Sequence, residues 1–274
     1  MAGALSSVGF LGAGKMAQAL SRGFIKSGII ESTSILASAP QNTSVNLSLI
    51  KDLGVRTTTD NREVVRNSNT VFVSVKPHVV TSVLDEVAED VNKDKLVVSI
   101  AAGISLKVLQ SRLPASARVV RVMPNTPSLI REGCSVYSVG EHVVEGDGEA
   151  VDKLMSSVGS CAKVTEALVE PFLGISSSGV AFLFLAMEAM ADGGVKMGIP
   201  RAMAYEFAAQ TMIGAARMVK DLEQHPAQCK DDVCSPGGCT MAGVHVLEKA
   251  GFRGSLMDAV EAATKRAQEL GKDQ

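Results

Sequence analysis

The sequence predicts an α/β domain followed by an all-α region. Short apolar runs alternate with helical periodicity from Val8 to about residue 165, after which β signals stop and helical patterns continue to the end. Length agrees, since 274 residues suit two domains of ordinary size better than one. The expected division is residues 1–165 and residues 166–274.

Val8-Gly-Phe-Leu11 leads directly into Gly12-Ala-Gly-Lys-Met-Ala17. Met16, Leu20, Phe24 and Ile25 then fall on one helical face, and Gly28 closes the helix. Residues 34–37 read as the next strand, with further strands at 70–75, 96–100 and 118–122. Helices intervene around 44–53, 78–91 and 105–112. Strands at 135–139 and 161–164 flank a helix near 147–158 and finish the sheet. Strand alternating with helix predicts parallel pairing with both faces covered. Residues 175–198 read as a long helix, apolar nearly all round in its first half and therefore buried. Pro200 starts a helix to about Leu222, and residues 240–250 form a short helix stopped by Gly251. Ser255-Leu-Met-Asp258 resembles a capping box opening a helix that ends at Gly271.

Composition narrows the class. Apolar residues make up 46% of the chain and aromatics 4%, with no Trp, so aliphatic side chains must fill the core. A net charge of -2 with scattered basic residues gives no case for nucleic acid or an acidic membrane surface. The longest apolar run, residues 180–187, is too short to span a bilayer. The first strand begins too early to leave room for a presequence, so the expected location is cytoplasmic. Five cysteines, an odd number, are expected as free thiols. Cys229, Cys234 and Cys239 recur every five residues, but zinc sites bring closer pairs and four ligands, so no metal is expected.

Gly12-x-Gly14-x-x-Ala17, placed between a strand and a helix, has the context of a dinucleotide-binding fingerprint. Gly12 permits the turn, Gly14 lets backbone approach a pyrophosphate, and Ala17 lets the helix pack closely. The expectation is therefore a Rossmann-type domain. The second strand ends without the acid that binds a ribose 2′-hydroxyl, which leaves space for a 2′-phosphate and favours NADPH, with NADH possible. Ser38 is the nearest hydroxyl for that phosphate.

The stretch Val233-Cys-Ser-Pro-Gly-Gly-Cys-Thr240 reads as a turn delivering a hydroxyl to the start of a short apolar helix. Gly237 and Gly238 expose consecutive backbone N–H groups, a suitable nest for a carboxylate. Thr240 is either an N-cap or a donor to substrate.

With these motifs, the chain resembles the pyrroline-5-carboxylate reductase family from Val8 to Leu270. The resemblance rests on residues 8–17, Val75-Lys-Pro-His78, Met123-Pro-Asn-Thr-Pro127, Gly174-Ile-Ser-Ser-Ser-Gly179, Ala191-Asp-Gly-Gly-Val-Lys-Met-Gly198, Glu223-Gln-His-Pro226 and residues 233–248. It implies reduction of Δ1-pyrroline-5-carboxylate to L-proline by hydride from NAD(P)H, the last step of proline synthesis. It implies Thr240 and Glu223 as catalytic residues, Thr240 orienting the imine nitrogen. Ser178, Gly237, Gly238, Cys239 and Thr240 are the implied substrate contacts. Cofactor contacts are implied at Gly12, Ala13, Gly14, Lys15, Met16, Ser38, Ala39, Asn61, Val75, Lys76, Pro77 and Ala102. For several of these a plainer role stands beside the functional one. Glu223 can be a solvated helix end, Ser178 a packed small residue, and Lys76 a surface lysine. His225 and His245 read as structural.

Three departures from the family pattern bear on the site. Asp232 stands where relatives carry an Asn that touches cofactor. Ser177 and Val180 replace a Gly and a Pro, which stiffens the helix entrance. Cys239 stands where Ala is common, so activity is expected to be sensitive to oxidation. The family forms intertwined dimers that commonly assemble into decamers, and the active site is expected to be completed across a dimer interface.

Overall fold

The computed structural model describes residues 6–40 and 44–272. Its eight strands are β1 (Val8–Leu11), β2 (Ile35–Ser38), β3 (Arg56–Thr58), β4 (Thr70–Val73), β5 (Leu96–Ser99), β6 (Arg118–Met123), β7 (Gly133–Val139) and β8 (Gly159–Lys163). They form one sheet in the order β3-β2-β1-β4-β5-β6-β7-β8. The helices of this part are α1 (Lys15–Lys26), α2 (Ser44–Lys51), α3 (Asn61–Arg66), α4 (Pro77–Val87), α5 (Leu106–Ser111) and α6 (Asp147–Ser156).

Strand alternation sorts the core into two faces. Val8, Phe10, Phe72, Val98 and Val120 pack on one side, while Leu11, Val71, Val73, Val97 and Val119 pack on the other. Both faces are covered, which is why the central strands read as continuous apolar runs. Phe10 stacks on Phe72 at 5.1 Å between ring centroids, and Phe24 of α1 closes on both rings. With few aromatics in the chain, this trio anchors α1 and hence the glycine loop before it.

Two features of the sheet differ from expectation. Pairing is parallel from β3 to β6, but β6 and β7 are antiparallel. Only residues 124–132, containing a 3-10 turn at Thr126–Ile130, connect them, and a parallel crossover needs a longer path. β3 and the six-residue α3 were not expected. β3 is Arg-Thr-Thr at the sheet edge, with neither alternation nor an apolar run to mark it.

The sheet stops at Lys163, close to the expected boundary at 165, yet the first compact unit runs on through Ser177 and also takes in residues 262–274. An ion cluster explains why the chain stays attached beyond the last strand. Arg121 on β6 is 1% exposed, and its guanidinium meets Glu166 at 3.2 Å and Glu170 just after the sheet. Glu166 also accepts the Leu106 N–H at 2.6 Å. Buried charge persists only when it is paired in this way. α7 (Val169–Phe172) and a π turn (Leu173–Ser177) follow.

The second unit, residues 178–261, holds α8 (Gly179–Lys196), α9 (Arg201–Asp221), α10 (Pro226–Val233), α11 (Cys239–Lys249) and the first half of α12 (Phe252–Lys272). α8 packs on α9 around Ala191, Ala204 and Ala208. The expectation that the apolar half of α8 is buried does not hold within one chain. Leu183, Phe184 and Leu185 are 61%, 62% and 69% exposed. An apolar helix is buried only if enough partners exist, and a few helices cannot cover it on all sides. The continuous stretch Glu166–Lys196 is also long and apolar enough, by length and composition alone, to cross a bilayer. The short run 180–187 concealed this. The capping box at Ser255 is not formed: α12 starts at Phe252, directly after Gly251, and Ser255 Oγ donates to the Gly251 carbonyl at 3.2 Å.

Candidate active site

In the first unit, the chain order reverses between β1 and β4, and the loops at their carboxyl ends face the crevice where such sheets bind nucleotides. Gly12 has φ +104, and a Cβ there would lie 2.9 Å from the Ser74 carbonyl oxygen. Only glycine meets both conditions. Its N–H donates to the Ser38 carbonyl at 3.0 Å, and Ser74 Oγ donates to the Gly12 carbonyl at 2.7 Å, so the loop is pinned to both neighbouring strands. Gly14 is the N-cap of α1, and a Cβ on it would meet nothing within 4 Å. α1 has no side-chain cap and no acid in its first turn. Its free N–H groups and positive dipole end suit a pyrophosphate, so these residues fit a dinucleotide.

The expected cofactor residues share this edge. Ala13, Lys15 and Met16 follow the loop, Ala39 follows β2, Val75, Lys76 and Pro77 enter α4, and Ala102 lies beyond β5. Lys76 is the exposed N-cap of α4. One expectation changes. Ser38 is 1% exposed, and its Oγ donates to Asn61 Oδ1 at 2.6 Å instead of facing out toward a phosphate. Asn61 Nδ2 donates in turn to Glu86 at 2.8 Å.

In the second unit, Ser235-Pro-Gly-Gly238 forms a tight turn in which the Gly238 N–H donates to the Ser235 carbonyl at 3.0 Å. Gly237 has φ +68, and Pro before Gly at these positions is the type II pattern. Gly238 is the N-cap of α11, again without a side-chain cap. Thr240 is therefore the second helical residue and not the cap. Its half-buried hydroxyl makes no hydrogen bond among the described residues. Cys239 beside it is exposed, and all five cysteines are free.

Glu223 follows α9 with φ +52, a left-handed position usually held by Gly or Asn. The conformation costs about 1 kcal/mol for a residue with a Cβ, and such strain concentrates at functional positions. His225 is structural, as expected: it caps α10, its Nδ1 accepting the Ala227 N–H at 3.2 Å. Asp232 accepts from Gln228 at 2.7 Å within α10. Ser178 is the N-cap of α8 without a side-chain cap bond. Just before it, Ser177 Oγ donates to the Pro124 carbonyl at 3.1 Å, a bond the more usual glycine could not make.

Three side chains that hold neighbouring segments were not singled out from the sequence: Glu86, Arg121 and Asn125. Asn125 lies in the Met123–Pro127 motif, but only its contacts reveal its work. Glu86 and Arg121 carry no local signal, since their partners lie 25 to 49 residues away in sequence.

Known proteins show the same two-part organisation. Residues 166–270 match the family model for pyrroline-5-carboxylate reductase dimerisation, and residues 7–103 match the model for coenzyme F420-dependent NADP oxidoreductases. Pyrroline-5-carboxylate reductase 3 of Mus musculus is 46% identical over 265 residues, covering 97% of this chain and 96% of that protein. The chain belongs to the pyrroline-5-carboxylate reductase family. Pyrroline-5-carboxylate reductase 2 of Bos taurus is 47% identical, over 96% of this chain and 83% of that protein. Among solved structures, the Plasmodium falciparum pyrroline carboxylate reductase with NADP bound superposes with a TM-score of 0.89 at 30% identity, covering 98% of this chain and 99% of that one. The Coxiella burnetii pyrroline-5-carboxylate reductase gives 0.88 at 34% identity, over 97% and 98% of the two chains. This reductase is thus an NAD(P)H-dependent oxidoreductase with a dimerisation region. That region spans the same residues as the apolar exposed face of α8, which makes self-association the better account of that face than a bilayer.

Proposed function

We propose that this reductase converts Δ1-pyrroline-5-carboxylate to L-proline, the last step of proline synthesis, with Thr240 and Glu223 serving the chemistry. The observation that carries the residue assignment is the unused hydroxyl of Thr240 at a helix start that Gly238 already caps.

The dihydronicotinamide of the cofactor supplies the hydride. Ala13, Gly14, Lys15 and Met16 would hold its pyrophosphate through backbone N–H groups on the turn that Gly12 makes, its own N–H being spent on the Ser38 carbonyl, while Ala39, Asn61, Val75, Lys76, Pro77 and Ala102 line the same edge. The protein itself must bind one carboxylate, orient one ring and manage one proton. The N–H groups at Cys239 and Thr240 bind the substrate carboxylate, helped by the α11 dipole, while Gly237 and Gly238 shape the turn that presents them, the Gly238 N–H being spent on the Ser235 carbonyl. Thr240 donates to the imine nitrogen and steadies the proton that makes the carbon electrophilic. A threonine hydroxyl is a weak acid, so its part is orientation, and Glu223 holds the substrate near the nitrogen. Ser178 completes the substrate contacts. Reduction adds one hydride to carbon and one proton to nitrogen.

The working oligomer in this reading is built from intertwined dimers assembled to a decamer in the cytoplasm. The exposed α8 face supports association, and net charge -2 with free thiols suits a reducing compartment. Incubation with pyrroline-5-carboxylate while following NADPH absorbance tests the reaction. Oxidation of NADPH is expected; none with this substrate, and oxidation with another cyclic imine, would move the assignment to a different imine reductase.

A further inference from the structure

The end of β2 is where an acidic residue normally accepts a hydrogen bond from a ribose 2′-hydroxyl. Residues 32–51 contain no Asp or Glu. A relay stands in their place. Ser38 Oγ donates to Asn61 Oδ1 at 2.6 Å, and Asn61 Nδ2 donates to Glu86 Oε2 of α4 at 2.8 Å.

The direction of this relay is set at its far end. An ionised carboxylate only accepts, so Glu86 obliges the Asn61 amide to turn its nitrogen toward α4 and its oxygen toward Ser38. The Ser38 hydroxyl, 1% exposed and turned inward, commits its single proton to that oxygen, and the remaining lone pair of Asn61 Oδ1, on a half-buried side chain, is the acceptor left at the end of β2. One Nδ2 proton of Asn61 is then the only donor the relay has left. At the end of β3, Thr58 is committed in the same sense, donating to Glu63 at 2.5 Å. Carboxylates also engage the neighbouring helix. Asp60 caps α3, accepting the Arg62 N–H at 2.8 Å. The Arg62 guanidinium is itself held by Glu89 at 3.1 Å and Asp90 at 3.6 Å.

We propose that Glu86 is a specificity-determining residue of the cofactor site: acting through Asn61, it makes the end of β2 a hydrogen-bond acceptor that suits a ribose 2′-hydroxyl and disfavours a 2′-phosphate. This rests on the NAD(P)H reading of the first unit. Glu86 supplies from α4 the acceptor character and the negative charge that β2 itself lacks. NADH is therefore used at least as well as NADPH, contrary to what the missing acid alone suggests.

The test is calorimetric binding of adenosine 2′,5′-bisphosphate and of 5′-AMP to the full chain, in wild type, Glu86→Gln and Glu89→Gln. Glu86→Gln frees the amide to turn and is expected to raise the bisphosphate-to-AMP affinity ratio on the order of fivefold, the size of one net hydrogen bond. Glu89→Gln removes the same charge close by without touching Asn61 and is expected to leave the ratio within twofold, because Asp90 still holds Arg62 and exposed charge at that range is screened. The NADPH-to-NADH ratio of kcat/KM should follow the binding ratio. A ratio unmoved in Glu86→Gln, with both nucleotides still bound, overturns the relay, and so does an equal change in Glu89→Gln. Failure of wild type to bind either nucleotide instead overturns the dinucleotide reading beneath it.

Discussion

Asn125 Nδ2 donates to Ser176 Oγ at 3.1 Å, while the Oδ1 of the same side chain accepts the Cys134 N–H at 2.9 Å. A nearly buried amide thus joins the start of β7 to the π turn that precedes Ser178. Removing it leaves groups unpaired in a dry setting, worth about 1–3 kcal/mol. Asn125→Ala is expected to lower the melting temperature and to reduce kcat about tenfold, as misplacement of substrate-contacting groups does. Nucleotide affinity should be unchanged. Asn125→Asp keeps the acceptor for Cys134 and should recover most of the stability without the rate. Melting curves with steady-state kinetics separate the two effects.

Thr240 offers a sharper kinetic signature. Gly238 caps α11, so losing the Thr240 hydroxyl should leave the helix intact. Thr240→Ala is expected to lower kcat/KM for the imine about 100-fold, within the range of a lost proton-handling contact. Thr240→Ser should keep most of the rate. Equal binding of NAD(P)H by all three forms would place the loss on the substrate side, and an unchanged rate in Thr240→Ala would remove the residue from the mechanism.

The exposed face of α8 makes the second unit expected to depend on association for its stability. Its own described core is three alanines with a few partly buried apolar neighbours. Leu185→Asp, placed on a side chain 69% exposed in the single chain, should cost little within one protomer but put a charge into an apolar contact between protomers. Light scattering is expected to show a multimer for wild type and a shift toward monomer for the variant, together with loss of activity. A monomeric wild type would refute the dimer.

Cys161 on β8 provides a pH test. Burial, with Asp152 adding a like charge, pushes its thiol up to about 12. The folded state holds the proton more tightly than the unfolded state does, so the stabilising contribution of the neutral thiol is intact below the ordinary thiol range. It is lost progressively as pH rises from that range toward about 12. Wild type should lose stability over that window relative to Cys161→Ala. Iodoacetamide at pH 8 followed by peptide mass analysis should mark the exposed Cys239 and spare Cys161, because only the thiolate reacts. If Cys239→Ala lost activity to peroxide as readily as wild type, Cys239 would not be the sensitive group.

What could be read from the chain alone depended on how local the cause was. The α1 loop was legible because a φ of +104 and a contact 2.9 Å from backbone demand glycine within a few residues of an apolar strand. The Ser235–Gly238 turn was legible for the same reason, Pro and Gly fixing its geometry in place. The features that differ from expectation have causes that hydrophobic pattern does not record. β3 is polar because it sits at an edge, β7 runs antiparallel because its connection is short, and Ser255 lies inside a helix that already begins at Phe252.

By itself, then, the sequence determined the α/β-then-α order, the dinucleotide loop and the placement of Thr240 at a helix start. Backbone propensity and hydrophobic period act over short spans, and they suffice for those features. Only the tertiary structure decided that Ser38 turns inward to Asn61, that Glu86 orients that amide, and that Arg121 holds the segment after the sheet. It also decided that the apolar face of α8 lies open within one chain. Hydrogen-bond direction, ion pairing and burial depend on which distant residues the fold brings within about 3 Å, and no local pattern records that.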